Sequence, residues 1–296
     1  MFRGTFTAII TPFTEDNKID EDALKKLIDF QIENGVSGLV PCGTTGESPT
    51  LSHEEHDKVI ELAIKYANKK VPVIAGTGSN STAEAIRLTR HAKEAGADAA
   101  LVVNPYYNKP TQLGLYKHFK AVADSVDIPI VIYNIKGRTA VNLETKTLVK
   151  LTNECPNIIA VKEASGDISQ MKDVISNTKE NFCVLSGDDG ITLDLIKAGG
   201  DGIISVAANI MPKKMSEMVK NALEGNMEEA EKQNQDLNDF FEVEFIETNP
   251  IPIKTALAMQ GRCKEIFRLP MCELESEEHK EKLIEVMKKH DLLDNS

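Results

Sequence analysis

"IPIVIYN" occupies residues 128–134, and "NIIAVK" follows at 157–162. Neither run alternates apolar with polar residues, as a strand with one wet face would. Near-continuous valine and isoleucine predict parallel strands covered on both faces. Six further runs share this character: "TFTAII" (5–10), "GLVPCG" (38–43), "VPVIAG" (71–76), "AALVVN" (99–104), "FCVLSG" (182–187) and "DGIISV" (201–206). A polar stretch with helical spacing follows each.

Helix punctuation fills the intervals. Asp20 caps a helix with Leu24, Leu27, Ile28 and Ile32 on one face, and Gly35 stops it. "SHEE" (52–55) and "STAE" (81–84) both fit a capping box, with Glu three residues after Ser. "KEAGAD" (93–98) and "KAGGDG" (197–202) place glycine just before the next strand. Eight strand–helix units in succession predict an α/β protein, a (β/α)₈ TIM barrel over residues 1–224. Residues 225–296 read as a C-terminal helical extension without a strand. A doubly wound sheet would need a dinucleotide or phosphate fingerprint, and neither G-x-G-x-x-G after a strand nor G-x-x-x-x-G-K-[ST] occurs.

The 296 residues carry a formal net charge of -12, which disfavours nucleic acid and anionic membrane as partners. Cys42, Cys155, Cys183, Cys263 and Cys272 are scattered and odd in number, so a disulfide framework or a structural zinc site is not expected. The apolar start "MFRGTFTAIITPF" is too short for a signal peptide, and no run reaches transmembrane length. The expectation is a cytoplasmic protein.

Barrel active sites gather at the C-terminal ends of the strands. The second strand leads into "CGTTGES" with Thr44 and Thr45, the fourth into "NPYYNKP" with Tyr106 and Tyr107, and the fifth into "YNIKGRT" with Tyr133 and Arg138. The sixth ends in Lys162, the seventh in "SGDD" and the eighth in "SVAANI". No histidine or carboxylate cluster has metal-ligand spacing, so neither a metal nor a cofactor is expected. One lysine, several hydroxyls and one arginine suit imine chemistry. A desolvated lysine amine attacks a ketone. Tyrosine and threonine hydroxyls relay protons. "GTTGE" holds a small carboxylate, and Arg138 offers a fork for a second. Each residue alone has a plainer reading. Lys162 could snorkel or pair with Glu163 or Glu47. Tyr133 could be a core tyrosine, Thr44 and Thr45 turn residues, and Arg138 half of a surface ion pair. Convergence at one barrel mouth is what favours the chemical reading.

Together, "CGTTGES", "NPYYNKP", "YNIKGRT", "VKEASGD" and "ETNPIPIK" resemble the dihydrodipicolinate synthase / N-acetylneuraminate lyase family of class I aldolases, closest to its dihydrodipicolinate synthase branch. The resemblance covers nearly the whole chain. It implies that Lys162 forms an imine with pyruvate and that the enamine attacks L-aspartate 4-semialdehyde, a step of lysine (diaminopimelate) biosynthesis. Tyr133, Thr44 and Tyr107 would form the proton relay, with Tyr107 reaching into a neighbouring subunit. Thr45 and Arg138 would bind the two carboxylates, and Gly187 and Ile204 would line the pyruvate site. A homo-oligomer is implied, a dimer of dimers. The family usually has proline where this chain has Lys136, and often glycine where Ala140 stands. The expectation is a looser Arg138 loop and altered affinity for the second substrate.

Ser48, His53, His56, Asn80, Glu84 and Tyr106 match positions that bind feedback-inhibiting L-lysine in regulated members. Glu84 would meet an ammonium, and Asn80 and Tyr106 a carboxylate. The plainer alternative is that Glu84 completes a capping box while His53 and His56 share an exposed helix face. Two rival functions remain at this stage. One is another pyruvate-dependent aldolase, acting on N-acetylneuraminate or a 2-keto-3-deoxy sugar acid. The other is a non-catalytic barrel that binds pyruvate or lysine.

Overall fold

The computed structural model describes residues 2–294. Eight strands carry the sheet: β1 Gly4–Ala8, β2 Gly38–Val40, β3 Ile74–Gly76, β4 Ala99–Val103, β5 Ile130–Asn134, β6 Ile158–Glu163, β7 Cys183–Ser186 and β8 Gly202–Ser205. Each lies within one residue of its apolar run or inside it. Every paired neighbour is parallel, in the order β2-β1-β8-β7-β6-β5-β4-β3. A single parallel bridge from Leu39 to Val73 joins the two ends, so the sheet closes into a barrel.

The uniform apolar runs follow from closure. Phe6, Val40, Ile74, Leu101, Val131, Ala160, Leu185 and Ile204 fill the interior. Ala100, Val102, Ile130, Ile132, Val161 and Val184 face the outer layer. Both faces of each strand are thus buried, and no polar alternation survives.

Between the strands run α1 Glu21–Glu33, α2 His53–Ala67, α3 Thr82–Ala95, α4 Gln112–Ser125, the one-turn α5 Lys136–Thr139, α6 Thr145–Glu154, α7 Ile168–Asn177, α8 Thr192–Lys197 and α9 Pro212–Leu223. Asp20 caps α1 by accepting from the Ala23 N–H, as its sequence predicts. Ser52 and Glu55 complete both halves of the capping box on α2. On α3 only half forms. Ser81 accepts from the Glu84 N–H, but the Glu84 carboxylate turns away to Ser79 and His53.

Three more helices follow: α10 Met227–Val243, α11 Ile251–Met259 and α12 Glu277–Lys289. The turn at Glu224 and Gly225 separates α9 from α10. Leu237, Phe240, Ile253, Leu257, Leu283 and Met287 belong to the same apolar cluster as Leu24, Leu27 and Ile60 of α1 and α2. Through these residues the last helices are fastened to the barrel wall.

Candidate active site

Strand alternation decides where Lys162 points. Ala160 faces the barrel interior and Val161 the outer layer, so Lys162 turns inward and Glu163 outward. Lys162 is 5% exposed, and its ammonium lies 4.2 Å from the centre of the Tyr133 ring. Among the described residues, no carboxylate oxygen comes within 4.0 Å of it. The two glutamates that might pair with it are engaged elsewhere. Glu163 accepts from the Asn134 amide at 3.1 and 3.2 Å and from the Ser165 N–H at 2.8 Å. Glu47 is bound to Lys254 at 2.5 Å. Desolvation therefore dominates and brings the Lys162 pKa down to about 8. Arg138 pushes the same way, while Asp189 and Asp188 resist. A useful fraction of the amine is then free near neutral pH, which an ordinary lysine lacks.

Tyr133 is 5% exposed, and burial raises its phenol to about 12, with the Thr44 hydroxyl pulling the other way. The phenol thus stays protonated while the amine beside it can be neutral. That is the pairing a carbinolamine needs to lose water. Thr45 is buried and accepts from the Asn249 side-chain amide at 3.0 Å. The Asn249 carbonyl accepts from the Arg138 guanidinium, also at 3.0 Å. One residue therefore links both proposed carboxylate binders. A Cβ on Gly187 would stand 2.9 Å from Lys162 Cε and 2.7 Å from Ala164 Cβ, so any side chain there would displace the lysine. Ile204 is buried on the facing strand β8.

A cavity of about 510 Å³ opens from this centre. Thr44, Tyr133 and Arg138 line one part of it, and Ser48, His53, His56, Glu84 and Tyr106 another. The diverted Glu84 carboxylate meets His53 Nε2 at 2.7 Å, and its partners Ser79 and His53 hold its pKa below the usual range. His56 sits in the wall, only 4% exposed, and burial takes its pKa to about 4, so it stays neutral at physiological pH. This rules out the plainer alternative of an exposed helix face for it. Lys162, Thr45, Gly187 and Ile204 lie behind the residues that line the cavity, and Asn80 and Tyr107 do not line it either. Asn80 offers its backbone carbonyl to the Asn108 amide at 2.8 Å. Tyr107 is 90% exposed with a left-handed φ of 71°, so it stands away from the Lys162–Tyr133 pair of its own chain.

The whole sequence was compared with known proteins. Residues 1–290 match the family model described as "Dihydrodipicolinate synthetase family". The chain belongs to that family. The 4-hydroxy-tetrahydrodipicolinate synthase of Aquifex aeolicus is 53% identical over 292 residues, spanning 99% of both chains. The dihydrodipicolinate synthase of Acinetobacter baumannii, solved in complex with pyruvate, superposes with a TM-score of 0.96 at 45% identity, over 99% of this chain and all of that one. The enzyme from Cyanidioschyzon merolae, solved with lysine bound, gives 0.96 at 38% identity over 99% of each.

Where the family usually has proline, the Arg138 segment forms a one-turn helix beginning at Lys136. Residues 136–139 form a closed turn, with Thr139 N–H bonding to Ile135 at 3.1 Å and Ala140 N–H to Lys136 at 2.9 Å. The Thr139 hydroxyl adds a bond to the Ile135 carbonyl at 2.8 Å. Lys136 takes the first helical position, where the N–H is unneeded and proline fits equally well. The turn is thus closed by backbone and Thr139 hydrogen bonds without a proline. The strain sits at Ala140, whose φ of 59° favours glycine.

Several site residues carry no assignment from sequence reasoning. Asn249 lies within "ETNPIPIK", a stretch that carried the family resemblance but no role for this residue. Asp188 and Asp189 were legible only as the end of a strand. Glu47 and Lys254, 207 positions apart, form a fully buried pair beneath the Thr44–Thr45 loop. A lysine inside "IPIKTAL" was a usable signal, but its partner was not identifiable.

Proposed function

We propose that this chain condenses pyruvate with L-aspartate 4-semialdehyde through a Schiff base on Lys162, the reaction of a 4-hydroxy-tetrahydrodipicolinate synthase in lysine biosynthesis. The observation that carries this is the buried Lys162 side chain, set against Tyr133 and without an ion pair among the described residues. Its neutral amine adds to the ketone carbon of pyruvate, and a nitrogen-bound proton moves to the new alkoxide. Tyr133 then gives a proton to the carbinolamine hydroxyl, which leaves as water and gives the iminium. Loss of a methyl proton gives the enamine, whose carbon attacks the aldehyde before the adduct cyclises. Thr44 relays protons to Tyr133. Thr45 binds the pyruvate carboxylate, and Arg138 that of the semialdehyde. Gly187 and Ile204 leave room for pyruvate beside the amine.

Tyr107 completes the relay in a second subunit's site, which its exposure permits, within a homo-oligomer built as a dimer of dimers. Ser48, His53, His56, Glu84 and Tyr106, with Asn80 at the rim, form a site for inhibitory L-lysine. The ionised Glu84 is suited to the ligand's ammonium, and Tyr106 and Asn80 to its carboxylate. Residues 225–296 act as an appendage of the barrel, divided from it at Glu224. A reducing cytoplasm suits five unpaired cysteines. A sugar-acid aldolase fits less well, because Arg138 lies beside Thr45 through Asn249 and favours a short aldehyde bearing a carboxylate.

An aldehyde panel with pyruvate tests the assignment. L-aspartate 4-semialdehyde should be turned over much faster than any sugar aldehyde, and the reverse preference would refute it. Adding millimolar L-lysine should lower the rate; a flat response would remove the second site.

A further inference from the structure

The last helices carry a buried acid that the steps above do not use. Glu244 follows α10 as its C-cap, is fully buried, and finds no hydrogen-bond donor for either carboxyl oxygen among the described residues. α10 packs against the single turn Asp189–Ile191 that follows β7. The group within hydrogen-bonding reach of Glu244 is a second carboxyl, that of Asp189. Asp189 is buried too, but well supplied. It accepts from the Ser205 hydroxyl at 2.5 Å, the Val206 N–H at 2.9 Å and the Ala207 N–H at 3.4 Å.

Two carboxylates side by side in apolar surroundings cannot both be ionised. Donors stabilise a charge on Asp189, and none does so on Glu244. The proton therefore rests on Glu244, whose burial drives its pKa well above the usual carboxylate range. Asp189 in turn is the foremost negative group acting on Lys162. The other charged or titratable groups facing Lys162 are Asp188 beside Asp189, Arg138 from α5 and Tyr133 from β5. Asp188 is turned to its own loop, where it accepts from the Gly190 N–H at 3.0 Å.

We propose that Glu244 is a positioning residue for the Lys162 reaction: as a neutral acid it donates to Asp189 and so holds Asp189 as the fixed counter-ion of the Lys162 iminium. The iminium carries a full positive charge where the free amine had none. A carboxylate already locked opposite it needs no rearrangement when that charge appears. The C-terminal region thereby reaches the reacting centre through one side chain. The proposal rests on Lys162 as the imine former, so wild-type trapping by borohydride with pyruvate is the reference in every arm.

The experiment follows the rate of that trapping against pH in three variants of the full chain. Glu244→Gln replaces a neutral acid donor with a neutral amide donor, and its midpoint should stay with the wild type near pH 8. Glu244→Leu removes the donor, so Asp189 holds its charge less firmly. The midpoint should fall by about half a unit or more, with the plateau rate down about ten-fold. Asp189→Asn removes the counter-ion and should shift the midpoint in the same direction. A lower midpoint in Glu244→Gln would mean that Glu244 is an anion, and would overturn the proposal. A wild-type profile in Glu244→Leu would overturn it as well. Should Glu244→Leu fail to fold, Glu244→Gln and Asp189→Asn decide it. Loss of trapping in the wild type would instead refute the proposed function.

Discussion

Two lysines are buried in this barrel, and their opposite charges are arranged differently. Lys162 lies 4.2 Å from the Tyr133 ring centre, and Lys254 lies 4.2 Å from that of Phe13. Both have their pKa lowered, with desolvation as the leading cause. Lys254, however, meets Glu47 at 2.5 Å, while Lys162 has no carboxylate in contact. Around the Lys254–Glu47 pair the charges are further tied: the Arg268 backbone N–H reaches the other Glu47 oxygen at 3.3 Å, and its guanidinium grips Glu55 with both arms at 2.6 Å. Burial alone does not make a lysine reactive. Burial with the opposite charges held one step away does, because the neutral amine is then far easier to reach near neutral pH than in an ordinary lysine.

The comparison can be broken by stability. Lys254→Met would leave the Glu47 carboxylate buried without its partner and should destabilise the protein by about 3–5 kcal/mol. Lys162→Met should do the opposite. The folded protein binds the Lys162 proton less tightly than the unfolded chain does, so folding is penalised below about pH 8, and the penalty fades as pH rises towards the ordinary lysine value of 10.5. Removing that lysine should stabilise the protein at pH 7 by on the order of 3 kcal/mol, with a rise of several degrees in melting temperature. Thermal unfolding of both variants across pH reads the two signs. Equal signs would end the distinction.

The aromatic neighbours sharpen it further. Tyr133 has a hydroxyl and Phe13 has none, so only the first can move a proton. Tyr133→Phe should slow pyruvate-dependent turnover by at least about 10²-fold. Its melting temperature should change little, and a rate near wild type would remove the tyrosine from the relay. The smallest expected effect concerns the turn that presents Arg138. Ala140→Gly relieves a left-handed alanine and should stabilise by about 0.5–1 kcal/mol, or about 1–3 °C.

Much of the fold was legible because closure imposes a pattern. Strands buried on both faces read as eight apolar runs, and Ser52 with Glu55 marked a helix start that the structure confirms. The inward turn of Lys162 followed from alternation once the strand was assigned. Glu84 was less legible, since a capping box and a diverted carboxylate share one sequence. The Glu47–Lys254 and Glu244–Asp189 contacts were not legible at all. They join residues far apart in sequence, and an acid in a helical stretch usually reads as a solvated face. Lys162 and Lys254 both stand within apolar runs, and only three-dimensional pairing separates them.

The central claim is that Lys162 is unpaired and condenses with a keto acid. Reductive trapping with pyruvate and borohydride, followed by peptide mapping over a pH series, tests it directly. A single pyruvate-derived increment should appear on the peptide bearing Lys162 and none on that bearing Lys254, with a trapping rate half-maximal near pH 8. Label on Lys254, no label at all, or a rate unchanged from about pH 6 to about pH 9 would contradict it.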